Sequence, residues 1–148
     1  MESLDLLGCY CLRGKDHHGF GHYGASRGSR KHKGIDVVNE ADQPVVSCSG
    51  GHISKIGYPY NPNDEAKGHL RYVEVTTANK DRERYFYCSP AEGIELGKKV
   101  KRGDVIGMSQ DLCCIYGMDM TQHLHFEVIR NVGGESKFIN PTNYLVTL

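Results

Sequence analysis

From Gly34 onward the chain is cut into short apolar runs by turn-forming residues, and that punctuation leaves a β fold as the natural outcome. The runs are Ile35 to Val38, Pro44 to Ser47, His52 to Ile56, Leu70 to Thr77 and Arg84 to Cys88. Each holds β-branched or aromatic residues with Gly, Pro, Asn or Asp nearby. Lys101 to Asp104 reads as a turn leading into a short strand that ends at Gly107. His123 to Ile129 alternates, with Leu124, Phe126 and Val128 on one face. Helix is confined to a turn near Ser89 to Glu95 and to residues 140–145, where Asn140 can cap and Pro141 takes the first helical position. About seven short strands imply a mostly β, antiparallel fold with little helix, sheet folded on sheet or partly closed. Tyr58 to Lys67, with two prolines among polar residues, is a surface loop.

A chain of 148 residues suits one core, since domains most often run to roughly 100–150 residues. Residues 1–20 read as an irregular N-terminal extension, and residues 21–148 as the domain, opening with a Gly/Arg/Ser-rich loop from Gly21 to Arg30. Eighteen basic against eighteen acidic side chains remove the electrostatic footprint of a dedicated nucleic-acid binder. No apolar run approaches the roughly 18–20 residues of a membrane span, so no membrane partner is expected. Leu6-Leu7-Gly8-Cys9 loosely imitates a lipoprotein processing site, yet Glu2 and Asp5 stand where a signal peptide needs positive charge. The expectation is therefore a chain made in the cytoplasm without a leader. Cysteines at 9, 11, 48, 88, 113 and 114 lack paired CxxC spacing, and neighbouring Cys113 and Cys114 are strained partners for a disulfide. They read as free or buried thiols, with a bridge from Cys9 or Cys11 to a distant cysteine as the alternative.

Two short motifs carry chemistry. In His123-Leu124-His125, strand alternation puts both imidazoles, with Glu127, on the face opposite Leu124, Phe126 and Val128. In His32-Lys33-Gly34-Ile35-Asp36, a spacing of four keeps His32 and Asp36 on one side of a strand. Catalytic zinc takes three protein ligands from nitrogen and carboxylate oxygen and keeps one position for water. His32, Asp36 and one histidine of the HxH pair make such a set, leaving the other histidine to handle a proton. Gly19 to Gly24 matches G-x-G-x-x-G, but no strand precedes it and no helix follows, so its glycines read as turn residues. His17-His18 and the basic run Arg27 to Lys33 read as solvated surface, although the run leads into His32 and could steer an anionic substrate.

Three blocks, in order, resemble the lysostaphin-type, or LytM-like, zinc endopeptidases that cut peptide cross-bridges in bacterial peptidoglycan. They are Arg30 to Val37, Gly97 to Gly107, and His123 to Val128. The likeness runs over about residues 21–145, and the middle block alone is shared with biotinyl and lipoyl carrier domains. The resemblance implies a lysostaphin-like barrel-sandwich hybrid and one Zn2+ held by His32, Asp36 and His125. It further implies that His123 acts on the water or the oxyanion, and that the substrate is the peptide of peptidoglycan. The family commonly has a second catalytic histidine in a Tyr-x-His stretch nine residues before the glycine of the middle block. Cys88 stands nine before Gly97 here. A thiol is a weaker donor than an imidazolium, and losing one oxyanion donor costs about 2.7–4 kcal/mol of transition-state stabilisation. Tyr87 or His69 are the residues that could compensate. Such a hydrolase would act at the cell wall as a phage lysin, a virion or tail component, or part of a larger secretion assembly; phage origin is the expectation. The vertebrate leukocyte-derived chemotaxins are also similar around Gly21 to Asp36 and depart from the family at the same stretch. They imply the second expectation: a catalytically silent zinc-containing domain that binds peptidoglycan or a protein partner.

Overall fold

The computed structural model describes residues 1–16, 19–113 and 120–148, so the His17-His18 pair and Cys114 lie outside the described residues. Short strands dominate, as the punctuation of the sequence predicts. In chain order they are β1 (Ser26–Arg27), β2 (Arg30–Lys31), β3 (Ile35–Val38), β4 (Pro44–Val46), β5 (Gly51–Gly57) and β6 (Tyr72–Thr77). They continue with β7 (Arg82–Phe86), β8 (Cys88–Pro90), β9 (Lys99–Val100), β10 (Val105–Ser109), β11 (His123–Val132) and β12 (Glu135–Ile139). The helix α1 (Pro141–Leu145) follows, with the Asn140 side chain accepting from the Thr142 amide at 3.0 Å as its cap. Among the described residues no helix is long and apolar enough to cross a membrane.

The largest sheet runs β12-β11-β7-β6-β5-β9, and β3 also pairs with β11; β4-β10-β8 form a second sheet and β1-β2 a hairpin. All these strand pairs are antiparallel. Strand β11 is the spine. One edge takes β3 along His123 to Phe126 and β12 along Val128 to Val132, while the other takes β7. Its inward residues Leu124, Phe126 and Val128 are fully buried with Ile35, Val37, Ile53, Val73, Val75 and Tyr85. The Tyr85 and Phe126 rings meet at 5.0 Å with a 52° tilt. Each such side chain contributes about 1.5–3 kcal/mol on burial. Below them a buried carboxylate, Glu83, accepts from Ser49 Oγ and Tyr144 Oη, both at 2.6 Å, and from Tyr85 Oη at 3.3 Å. Burial pushes its pKa above the ordinary glutamate value despite these donors.

Three expectations are corrected. The run Arg84 to Cys88 is not one strand, because Tyr87 adopts a left-handed φ of 63° that ends β7 and sends Cys88 into the other sheet. Ser89 and Pro90 belong to β8 rather than to a helical turn. The Gly21 to Arg30 loop contains β1 and the first residue of β2, with Arg27 opposite Arg30. The described residues of the irregular N-terminal extension carry only isolated bridges, and part of them packs on the domain. Leu4 and Leu6 are buried in the main core, the Leu4 amide donates to Pro44 O, and the Arg13 amide donates to Asp36 O. Cys9, Cys11, Cys48, Cys88 and Cys113 are free thiols.

Candidate metal centre

The register of β3 on β11 places Asp36 directly opposite His125 and Val37 opposite Leu124. With Leu124 and Phe126 committed to the core, pleating turns His123, His125 and Glu127 the other way. His32 precedes β3 and is pinned by its backbone: its amide donates to Ala25 O and its carbonyl accepts from the Gly24 amide, both at 2.8 Å. Gly34 lets this segment lie close on β11. A Cβ there would collide with the Phe126 carbonyl oxygen and stand 2.9 Å from His125 Cε1 and 3.0 Å from Glu127 Cβ.

Three ligand-type atoms converge. His32 Nε2 is 3.0 Å from His125 Nδ1 and 3.1 Å from Asp36 Oδ1, and His125 Nδ1 is 2.9 Å from Asp36 Oδ1. Tetrahedral zinc, with bonds of ~2.0–2.1 Å, holds its ligand atoms about 3.3 Å apart, so the triangle fits one such face. The remaining ring nitrogens fix the tautomers: His32 Nδ1 donates to His22 O at 2.9 Å, and His125 Nε2 donates to Glu127 Oε1 at 2.9 Å. Each histidine thus turns its other nitrogen toward the shared point, the arrangement that metal-ligating histidines require. Burial alone would lower the pKa of His125, but the hydrogen bonds to Asp36 and Glu127 outweigh it and hold it up at about 9. Burial would likewise raise Asp36, yet the His125 and His32 hydrogen bonds and the nearby His123 keep its carboxyl well below the usual range. A cluster that stabilises positive charge this strongly suits a cation. The other carboxylate oxygen, Asp36 Oδ2, accepts from Arg13 Nε at 3.1 Å and Arg13 Nη2 at 3.0 Å.

His123 stands beside this group. Its Nδ1 donates to Thr121 O at 2.7 Å, which leaves Nε2 as the basic atom, 3.7 Å from Asp36 Oδ2. Burial lowers its pKa below the ordinary histidine value, outweighing the opposite pull of Asp36. The Tyr87 ring meets the His123 imidazole edge-on at 5.5 Å and 87°. His32, Asp36, His123, His125, Glu127 and Tyr87 line a cavity of about 510 Å³ whose lining also carries Arg27, Arg30, Lys31, Lys33 and Lys67. Of the three auxiliary candidates, only Tyr87 reaches it. Cys88 is fully buried against Gly107 in the core, where burial pushes its thiol up to about 12. His69 is exposed outside the cavity lining, its carbonyl accepting from Gln110 Nε2. The residue of this stretch that adjoins His123 is Tyr87, one residue before Cys88. Glu127, Thr121 and Arg13 had no role in the sequence reading. Only Glu127 left a signal there, through its place on the same strand face as the two histidines.

The fold recurs in solved structures. The antimicrobial peptidase lysostaphin from Staphylococcus simulans superposes with a TM-score of 0.66 at 24% identity, covering 99% of this chain and 54% of lysostaphin. This chain therefore spans about half of lysostaphin's length. Helicobacter pylori Csd3 matches with a TM-score of 0.60 at 27% identity over 97% of this chain and 34% of its own. The catalytic domain of the prophage-encoded M23 protein EnpA from Enterococcus faecalis gives 0.59 at 22%, over 85% and 89%. The sequence model of peptidase family M23 matches residues 30–141, from two residues before His32 to the first turn of α1. That span is most of the chain and holds both converging strands, so the chain belongs to peptidase family M23.

Proposed function

We propose that this chain is a zinc-dependent endopeptidase that hydrolyses peptide bonds in the peptide part of bacterial peptidoglycan. The observation that carries the reading is the triangle of His32 Nε2, Asp36 Oδ1 and His125 Nδ1, with sides of 2.9–3.1 Å, beside a histidine outside it. His32, Asp36 and His125 would hold the metal. When bound there, zinc supplies Lewis acidity, polarising the scissile carbonyl and bringing the pKa of water toward ~7. His123 is the proton carrier: its Nδ1 is tied to Thr121 O, and its lowered pKa keeps Nε2 free to accept a proton from attacking water and return it to the leaving amine. Tyr87, edge-on to His123, brings a hydroxyl donor to the cavity in place of the family's second histidine.

The test joins metal content to bond cleavage. Purified protein, loaded with zinc, is incubated with purified peptidoglycan, and newly released amino termini are counted. His123→Ala is expected to keep its zinc and lose release, whereas Asp36→Ala loses both. Wild-type release by His123→Ala removes that residue from the chemistry, and full zinc occupancy in Asp36→Ala removes Asp36 from the ligand set. A second reading has one observation in its favour: among the described residues, His123 is the only imidazole lining the cavity outside the proposed ligands. On that reading the chain is a zinc-containing domain that binds peptidoglycan or a protein partner without cutting it. Wild-type protein that retains zinc, sediments with peptidoglycan and releases no amino termini would establish it.

A further inference from the structure

We infer that Arg13 and Asp16, from the N-terminal segment outside the family match, are positioning residues that tie the ligand carboxylate Asp36 and the proton carrier His123 into one hydrogen-bonded frame. The inference rests on the metal-site reading above and extends it to residues that no motif marks.

Arg13 is only 3% exposed, and a guanidinium this buried needs its donors matched. Its Nε and Nη2 both bond Asp36 Oδ2, at 3.1 and 3.0 Å. Its Nη1 bonds Asp16 Oδ1 at 2.6 Å and Gly19 O at 2.9 Å, and Nη2 also reaches Phe20 O at 3.5 Å. Arg27 Nη2 touches the same Asp36 oxygen at 3.5 Å, so Oδ2 is held by cations alone among its described partners apart from His123. With Oδ2 fully engaged, only Oδ1 is presented to His32 and His125, and the carboxylate cannot turn to offer both oxygens.

The other end of the frame reaches His123. Asp16 Oδ2 accepts from the Thr121 amide at 3.2 Å, and Thr121 O accepts from His123 Nδ1 at 2.7 Å. The path Asp36–Arg13–Asp16–Thr121–His123 is therefore continuous. Backbone bonds secure its start: Gly21 N to Arg13 O at 2.9 Å, Asp36 N to Gly21 O at 2.8 Å, and Arg13 N to Asp36 O at 2.8 Å. A Cβ on Gly21 would stand 2.7 Å from Arg13 Cβ and 3.0 Å from Asp36 Cβ. Outer partners of metal ligands of this kind typically govern about 10–100-fold in metal affinity.

The experiment uses the full chain and its Arg13→Gln, Arg13→Lys and Asp16→Asn variants. Zinc affinity is measured by competition with a chromophoric chelator, and the visible spectrum of the Co2+-loaded protein reports coordination geometry. Arg13→Gln is expected to bind zinc about 10–100-fold more weakly, with a weaker cobalt band as the freed carboxylate offers both oxygens. Arg13→Lys keeps the charge without the fork, so it should keep the fold and still show the altered cobalt spectrum. Asp16→Asn should lower kcat for amino-terminus release with KM unchanged, because His123 loses its support. Folded Arg13→Lys and Asp16→Asn with wild-type zinc affinity, cobalt spectrum and kcat overturn the inference, whether or not Arg13→Gln folds. If wild type binds no zinc, the metal reading falls and takes this one with it. If wild type binds zinc and the variants match it, only the role of Arg13 and Asp16 falls.

Discussion

Gly34 shows how a single missing atom shapes the site. The chain between His32 and Asp36 lies so close to β11 that a methyl group would meet the Phe126 carbonyl and His125 Cε1 together. Gly34→Ala is expected to destabilise the fold by about 1–3 kcal/mol and to spread the His32–Asp36–His125 triangle. Thermal unfolding and zinc content check both effects, and a variant with wild-type values for both would show that β3 shifts freely. Tyr87 is the second sensitive residue. If its hydroxyl stabilises the oxyanion, Tyr87→Phe should lower kcat by about 10²–10³-fold while zinc content stays at wild type. An unchanged kcat would leave Tyr87 as packing against His123. The H-x-x-x-D and H-x-H spacings drew attention to His32, Asp36, His123 and His125, but strand periodicity accounts only for the second pair, because His32 lies before β3 and is placed by backbone bonds to Ala25 and Gly24. Arg13 was not legible, because it is 23 residues from Asp36 and a side-chain bond across that distance leaves no local pattern. Cys88 lies buried outside the cavity lining for a related reason. Counting back from Gly97 ignores the left-handed φ at Tyr87, which decides which side chain faces the site.

At the level of elements, the hairpin β1–β2 does what its loop-like sequence concealed. It is two residues on each side, too short for alternation to register, yet it carries Arg27, Arg30 and Lys31 into the lining of the cavity. The chain's formal charge is zero, so this concentration of cations is a local feature. Asp36 and Glu127 are the acidic lining residues; the first contacts His32 and His125, the second His125. An approaching peptide that bears carboxylates therefore meets a net positive mouth. Reversing two exposed charges together, Arg30→Glu with Lys31→Glu, is expected to lower kcat/KM on peptidoglycan by about tenfold at low ionic strength. The deficit should shrink as salt rises and shortens the screening length toward ~8 Å, with zinc content unchanged throughout. A salt-independent loss would point to contact rather than steering. Strand β12 was overlooked because Glu135–Ile139 is largely exposed and its pattern is weak; the Gly133-Gly134 pair before it was the available hairpin signal.

Over the whole molecule, one core supports both the site and the N-terminal segment. The large sheet, the β4-β10-β8 sheet and Leu4 and Leu6 share that core, and the irregular sequence of residues 1–20 gave no periodicity from which to foresee it. The same core contains a polar knot whose stability depends on pH. Glu83 is fully buried and its pKa is raised, so the folded state holds a proton that the unfolded chain has already released above the ordinary glutamate value of 4.5. Folding then takes up a proton across that window, and stability falls as pH rises from the unfolded value through the folded one. Below both values the group contributes no pH dependence. Glu83→Gln removes the ionisation while keeping an oxygen for Ser49 and Tyr144 and an amide for the Tyr85 hydroxyl. The variant should be the more stable protein near pH 8, with the higher Tm, and lose that advantage near pH 4. Melting curves of both proteins at several pH values read this directly. A variant less stable than wild type at pH 8 would mean that the carboxylate is ionised and held by its three hydroxyl donors, with the network favouring the charge that burial opposes.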